Sequence, residues 1–223
     1  MLMSVRVVYF VEILSSWCHW AEPAWDAVKS RFAGAPVDFD WRIALMNRGD
    51  FPDSREQCDW YYRRSGTVVR SPYMLHSGWV ETELAGDYSA PNLVAEAGRD
   101  FGVSDDRLRR ALSEAAMRDG RRIGRMEIAA EIGAAITGAS AAEVAARAGS
   151  DEVRARVEAS TALFHAHQIA QRPSFLLTNA IGDKVVISGL WVSGPLVASI
   201  EAMLADAAAY ATHRAHFGAP PTG

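Results

Sequence analysis

The sequence predicts an α/β fold in which a strand, helix and strand at the N-terminus and a strand pair with a closing helix at the C-terminus enclose an all-helical insertion. Three observations predict it. The first 46 residues read as an apolar run, a helical stripe and a second apolar run. Residues 50–168 are rich in Ala, Arg and Glu, with repeated helix-start signals. After Arg172-Pro173 two short β-branched runs return. At 223 residues, 49% hydrophobic and 22% charged, the chain can bury one sizeable core or one core with an inserted subdomain.

Residues 5–13, VRVVYFVEI, form a buried strand, with Arg6 and Glu12 interrupting only near its ends. A short loop at 14–17 follows. Trp25, Val28 and Phe32 recur at three- and four-residue steps and predict a helix over 22–32, with Pro23 in its first turn. That helix stops at Gly34-Ala35-Pro36. Residues 37–46 alternate apolar with polar through Trp41 and then turn fully apolar, a second strand that completes a right-handed parallel crossover unit. Helices are predicted over 50–63, 90–100, 104–118, 121–136, 140–148 and 150–169, separated by Gly102, Gly120, Gly138 and Gly149. Ser104-Asp105-Asp106 marks one start, and a capping box from Ser140 to Glu143 marks another. Residues 65–87, with Pro72, Gly78 and Gly86, have no period and read as a long loop. Residues 174–178 and 184–188 make a hairpin around 179–183. A final helix over 195–210 buries Leu196, Ile200, Met203 and Leu204, and 213–223 read as a loose tail. The chain thus divides into 1–49, 50–168, 169–212 and 213–223.

A net charge of −4, with arginines scattered among acids, supplies no long-range attraction for nucleic acid. The N-terminus lacks a basic segment followed by an apolar helix and a cleavage site, and no apolar stretch approaches the roughly 20 residues of a membrane span. The expectation is a soluble, cytoplasmic protein with reduced thiols and no membrane or nucleic-acid partner. Two cysteines, Cys18 and Cys58, build neither a disulfide framework nor a zinc site. His165 and His167, two apart on one predicted helix, point to different faces, so no metal is expected.

The element order, the stretch "YFVEILSSWCHWAEP" (9–23) and the stretch "RPSFLLTN" (172–179) together resemble the DsbA-like branch of the thioredoxin fold. The resemblance covers almost the whole chain and implies a thioredoxin-like fold with a helical insertion between its βαβ and ββα halves. In that family a Cys-x-x-Cys, often with Trp third, opens the helix and is followed by a proline. Laid on that pattern without a gap, Trp17 takes the Trp position, Cys18 the second cysteine and Pro23 the helix proline, so Ser15 falls on the first cysteine. An alternative alignment makes Cys18 the first cysteine and Ala21 the lost partner, but it shifts Pro23 and Trp25 out of place. Pro173 matches the family's cis-proline, although Gln171 and Arg172 replace the usual small residues before it.

In either alignment the dithiol is gone, and one thiol cannot resolve a mixed disulfide alone. A hydroxyl at a helix N-terminus can instead hold a bound thiolate. The turn is similar to that of kappa-class glutathione transferases, 2-hydroxychromene-2-carboxylate isomerases and FrnE-like proteins. This implies glutathione or another low-molecular-weight thiol as cofactor, a small-molecule co-substrate and a possible homodimer. Carried over, Ser15 would activate the sulfur, the backbone of Arg172 beside Pro173 would pair with the tripeptide, and Ser188 to Ser193 would receive a carboxylate. Trp17, Trp20 and part of 61–79 would wall an apolar pocket, and His19 would either tune the sulfur or sit in solvent. Against these stand structural readings: Cys18 as a small inward core residue, Cys58 as inert, Trp25 as core and Ser15 as an ordinary helix cap. Three classes follow: a glutathione-dependent isomerase or transferase using Ser15, a monothiol oxidoreductase using Cys18, and a non-catalytic binding protein.

Overall fold

The computed structural model describes residues 4–219. Four strands, β1 (Val5–Val11), β2 (Val37–Ile43), β3 (Ser174–Asn179) and β4 (Lys184–Ser188), form one sheet in the order β2-β1-β3-β4. β1 runs parallel to β2 and antiparallel to β3, and β3 runs antiparallel to β4. As a central strand covered on both faces, β1 is apolar at every position except Arg6. Val5, Val7, Tyr9 and Val11 face the main core, shared with Trp25 and Val28 of helix α1 (Ser16–Arg31) and Ile200 of helix α8 (Gly194–Phe217). Val8 and Phe10 face a second cluster closed by Phe164 of helix α7 (Asp151–Ala166).

Between β2 and β3 the chain builds helices α2 (Arg55–Val69), α3 (Ser89–Ala97), α4 (Arg107–Met117), α5 (Met126–Thr137) and α6 (Ala141–Ala148), followed by α7. α3 is the axis of this bundle, with every residue from Ala90 to Ala97 buried. Gly133 lets α5 close on it: a Cβ there would meet Val144 at 2.8 Å and Val94 at 3.0 Å. The capping box of Ser140 and Glu143 forms as the sequence predicts. No single helix among the described residues is long and apolar enough to cross a membrane.

The boundaries differ from the sequence expectations where a cap or a buried face outweighs local pattern. α1 starts at Ser16 instead of 22, because Ser15 caps it and Cys18, Trp20 and Ala21 are already buried, which leaves Pro23 inside the helix. α2 starts behind the Ser54 cap and runs to Val69, since Cys58, Tyr62, Ser65 and Gly66 keep one face buried beyond residue 63. The long loop therefore shrinks, and it contains 3₁₀ turns at Ser77–Trp79 and Thr82–Leu84. α4 starts after Asp106 instead of at 104, because that carboxylate serves Arg109 and Lys29 and caps no amide. The tail expected from 213 is helical through Phe217. Ala207, Ala208, Ala209, Ala211 and Ala215 favour helix, Arg214 and His216 suit its C-terminal dipole, and Gly218 with φ 79° ends it. Residues 220–223 of that expected tail lie outside the described residues.

Candidate functional site

Where β1 ends, Glu12 turns inward and ties three segments together. Its Oε1 accepts from the Asn92 amide at 2.7 Å and from the Leu14 N–H at 3.3 Å, and its Oε2 accepts from the Met46 N–H at 3.2 Å. Burial raises its pKa, and those hydrogen bonds pull the other way. This carboxylate fixes the turn that carries Ser15 onto the start of α1. Ser15 has extended backbone (φ −80°, ψ 116°) and its Oγ accepts from the Cys18 N–H at 3.4 Å, the geometry of an N-cap. The amides of Ser16 and Trp17 in the first turn have no partner within the helix, and the helix dipole adds positive potential there.

Ser15, Ser16 and Trp17 open onto a cleft of about 490 Å³ between the sheet and the helical insertion. One wall carries Met46, Phe51, Cys58, Tyr61, Tyr62 and Trp79, and the other Gln171 and Arg172. The Arg172–Pro173 peptide is cis, and the Pro173 carbonyl accepts from the Gly189 N–H at 2.8 Å. The Arg172 guanidinium is turned away to the carbonyls of Ala44 and Leu45 and stacks 4.4 Å from the Phe164 ring. That leaves its main-chain N–H and C=O without partners among the described residues.

Cys18 sits beneath this surface, 2% exposed. Burial pushes its thiol up to about 11, with the Glu12 backbone and the Ser15 hydroxyl offsetting part of the rise and Glu22 and Glu12 adding to it. At neutral pH it is a protonated core residue. The cleft is lined by Ser15, Ser16 and Trp17 at the start of α1, a hydroxyl beside a helix N-terminus, which is chemistry suited to an anionic sulfur.

Several expected site residues lie elsewhere. Trp20 is buried between α1 and α2, with its Nε1 donating to Ser65 Oγ at 3.1 Å. It lines, with His19 and Tyr73, a separate recess of about 110 Å³ instead of the Ser15 cleft. The cause is the early start of α1, which puts residue 20 in the helix and not in the turn. His19 pairs through Nε2 with the Tyr73 hydroxyl at 3.1 Å, and burial, with Arg118 and Arg110 nearby, pushes its pKa down to about 4. It lines that recess and not the Ser15 cleft. Ser188 is exposed at the end of β4 and bonds Ser174 at 3.2 Å, while Ser193 precedes α8 without capping it through its side chain. Neither lines the cleft, because β4 and the following turn lie beyond the Pro173 loop.

Sequence reasoning passed over Glu12, Asn92 and Arg64. Glu12 carried a signal, a carboxylate at the end of an otherwise apolar strand, and Arg64, which lines the cleft, carried one in its three- and four-residue spacing from Tyr61 and Trp60, whereas Asn92 arrives from the insertion and had none. Cys58 lines the cleft but is 1% exposed, and burial pushes its thiol up to about 12, with a Tyr62 hydrogen bond working against that. No cluster of three His, Cys, Asp or Glu residues fit for a metal ion occurs among the described residues.

No protein-family model and no curated relative matches the chain. Solved structures do. The cytosolic disulfide reductase DsbM from Pseudomonas aeruginosa superposes with a TM-score of 0.67 at 23% identity, over 90% of this chain and 98% of that one. The same protein solved with GSH gives 0.62 at 22% identity, over 90% and 99%. Pseudomonas aeruginosa DsbA gives 0.59 at 15% identity, over 94% and 88%. The chain therefore has the fold of DsbA-like thiol oxidoreductases, a thioredoxin-like fold with an inserted helical bundle.

Proposed function

We propose that the chain is a thiol-handling enzyme that takes its reactive sulfur from a bound low-molecular-weight thiol of the glutathione type, held as thiolate by the Ser15 hydroxyl and the first amides of α1. The observation that carries this reading is the division of the turn: Ser15, though only 9% exposed, lines the cleft, while Cys18 lies beneath it, 2% exposed and held protonated by burial. The fold shared with DsbM, which has been solved with GSH, supports it.

The sulfur count favours one reaction class. A disulfide reductase would need a second thiol from solution to release its mixed disulfide, whereas isomerisation or transfer needs only the bound one. A bound thiolate can add to the β-carbon of an α,β-unsaturated substrate, the former double bond can rotate, and expulsion of the thiolate then re-forms the double bond in the other geometry, returning the thiol unchanged with no net redox change. The aromatic wall of Phe51, Tyr61, Tyr62 and Trp79 fits a flat co-substrate. The main-chain groups of Arg172 would pair with the extended thiol peptide. Localisation in the cytoplasm, where such thiols are abundant, belongs to the same proposal, as does the possible homodimer.

Glutathione titration followed by ultraviolet thiolate absorbance tests the assignment. The wild type is expected to bind glutathione and lower its thiol pKa, Ser15→Ala to lose that shift, and Cys18→Ala to keep both binding and shift. Rapid alkylation of Cys18 at neutral pH, with Cys18→Ala inactive and Ser15→Ala unaffected, would establish the monothiol oxidoreductase instead. A wild type that binds no small thiol would leave the non-catalytic reading.

A further inference from the structure

Among the described residues two cations line the cleft, Arg64 and Arg172, and they are used differently. Arg172 spends its Nε and one Nη on the Ala44 and Leu45 carbonyls. The acid on the cleft wall, Asp50, makes no ion pair with Arg64 and has its Oδ2 turned to Asn47, accepting from the Asn47 N–H at 2.9 Å and its side-chain amide at 3.1 Å. Arg64 has no ion pair or hydrogen bond among the described residues. Its guanidinium nevertheless has a defined place, 5.1 Å from the Trp60 ring centroid and 5.2 Å from that of Tyr61.

Residues 60, 61 and 64 share one face of α2 through three- and four-residue spacings, so the two rings and the guanidinium assemble locally without tertiary help. The two rings lie at 74° to each other, so the guanidinium rests against both π-systems while no acceptor among the described residues takes its N–H groups, which leaves them available for bidentate capture of a carboxylate. Its rotamer cost is thus partly met before ligand arrives. An aromatic-walled cleft with one preorganised, uncompensated arginine at its edge selects an anion.

Building on the thiol-binding reading, we propose that Arg64 is the carboxylate anchor of the cleft and sets its preference for acidic over neutral ligands. The carboxylate comes from the thiol peptide or from the aromatic co-substrate, and two probe pairs separate these sources. The first is S-methylglutathione against its diethyl ester, and the second is cinnamate against cinnamamide. Both are followed by quenching of tryptophan fluorescence in wild type, Arg64→Gln and Arg64→Lys.

The wild type is expected to prefer the acid of at least one pair by about tenfold. Arg64→Gln should erase that preference while leaving the neutral member's affinity unchanged. Arg64→Lys should recover only part of it, because an ammonium keeps the charge without the planar fork. Loss in the first pair assigns the carboxylate to the thiol peptide, and loss in the second assigns it to the co-substrate. Equal weakening of acid and neutral members, no change in either pair, or no binding by any of the four overturns the proposal.

The thiolate absorbance of bound glutathione, measured on the same variants, keeps the two proposals apart. A normal thiolate shift without Arg64-dependent acid preference sinks the anchor alone. Arg64-dependent acid preference without a thiolate shift sinks the Ser15 assignment alone.

Discussion

The two ends of the polar surface around α1 use charge in opposite ways. Behind the helix, Glu22 of α1 meets Arg109 of α4, which is 2% exposed and also bonds Asp106. Asp106 in turn accepts from Lys29 and, at 3.2 Å, from Trp25 Nε1, and the Tyr9 hydroxyl donates to the Cys18 carbonyl at 3.1 Å. At its centre this network is buried, and the Arg109 guanidinium is shared between Glu22 and Asp106. At the front, Ser15, the first amides of α1, the main chain of Arg172 and the Arg64 guanidinium lie open on one cleft. The contrast teaches that the shared ion pairs here dock the insertion onto the sheet domain, while the groups without partners gather on the cleft, where the proposed thiol would bind.

Breaking the buried network should give the largest effect. Arg109→Met would leave Glu22 and Asp106 short of their buried cation, at a cost of about 3–5 kcal/mol. Urea unfolding should show it as a lowered midpoint, with glutathione affinity of the folded protein unchanged. Affinity falling together with stability would join the two regions that the geometry separates.

His19 gives the next largest effect, with a sign that can be worked out. Its folded pKa of about 4 lies below its ordinary 6.5. As pH falls the unfolded chain therefore takes up the proton first, and stability drops from about pH 6.5 down to about pH 4. At about 1.4 kcal/mol per unit the total is on the order of 3 kcal/mol. Denaturant unfolding at pH 7 and pH 5 should show this slope in the wild type and a flatter one in His19→Gln. Equal slopes would place the imidazole in solvent.

How much of this was legible in the sequence differs between fold and site. The strand-helix-strand start and the closing hairpin were readable because β1 and β3 are short apolar runs whose neighbours cannot compete for the same burial. The cap role of Ser15 was readable because a hydroxyl before an apolar helical stripe is a common helix start, and the thiolate role proposed for it rests on the same oxygen. Trp20 and His19 were misplaced together, since one error in the helix start rotates every later residue about the axis. Glu12 looked like a strand interruption because its partners, Asn92 and Met46, lie 80 and 34 residues away and no local pattern encodes them. Ser188 and Ser193 were tied to the site through the resemblance alone, and their own surroundings do not bring them to the cleft.

The smallest stability change yields the sharpest separation within the open region, because the cap seen at Ser15 and the thiolate contact proposed for it use one oxygen. Ser15→Ala removes both, costing about 1 kcal/mol of stability as a lost cap together with the hydroxyl offered to sulfur. Ser15→Gly divides them. Glycine is tolerated at an N-cap for a few tenths of a kcal/mol, yet it offers no hydrogen bond to a thiolate. Thermal unfolding of Ser15→Gly should therefore lie close to the wild type. The pKa of bound glutathione should rise in it as far as in Ser15→Ala, because the helix dipole that remains is common to both variants. A glutathione pKa that instead tracks stability, rising in Ser15→Ala but not in Ser15→Gly, would mean that the helix start rather than the hydroxyl holds the sulfur, and Ser15 would then be a cap and nothing more.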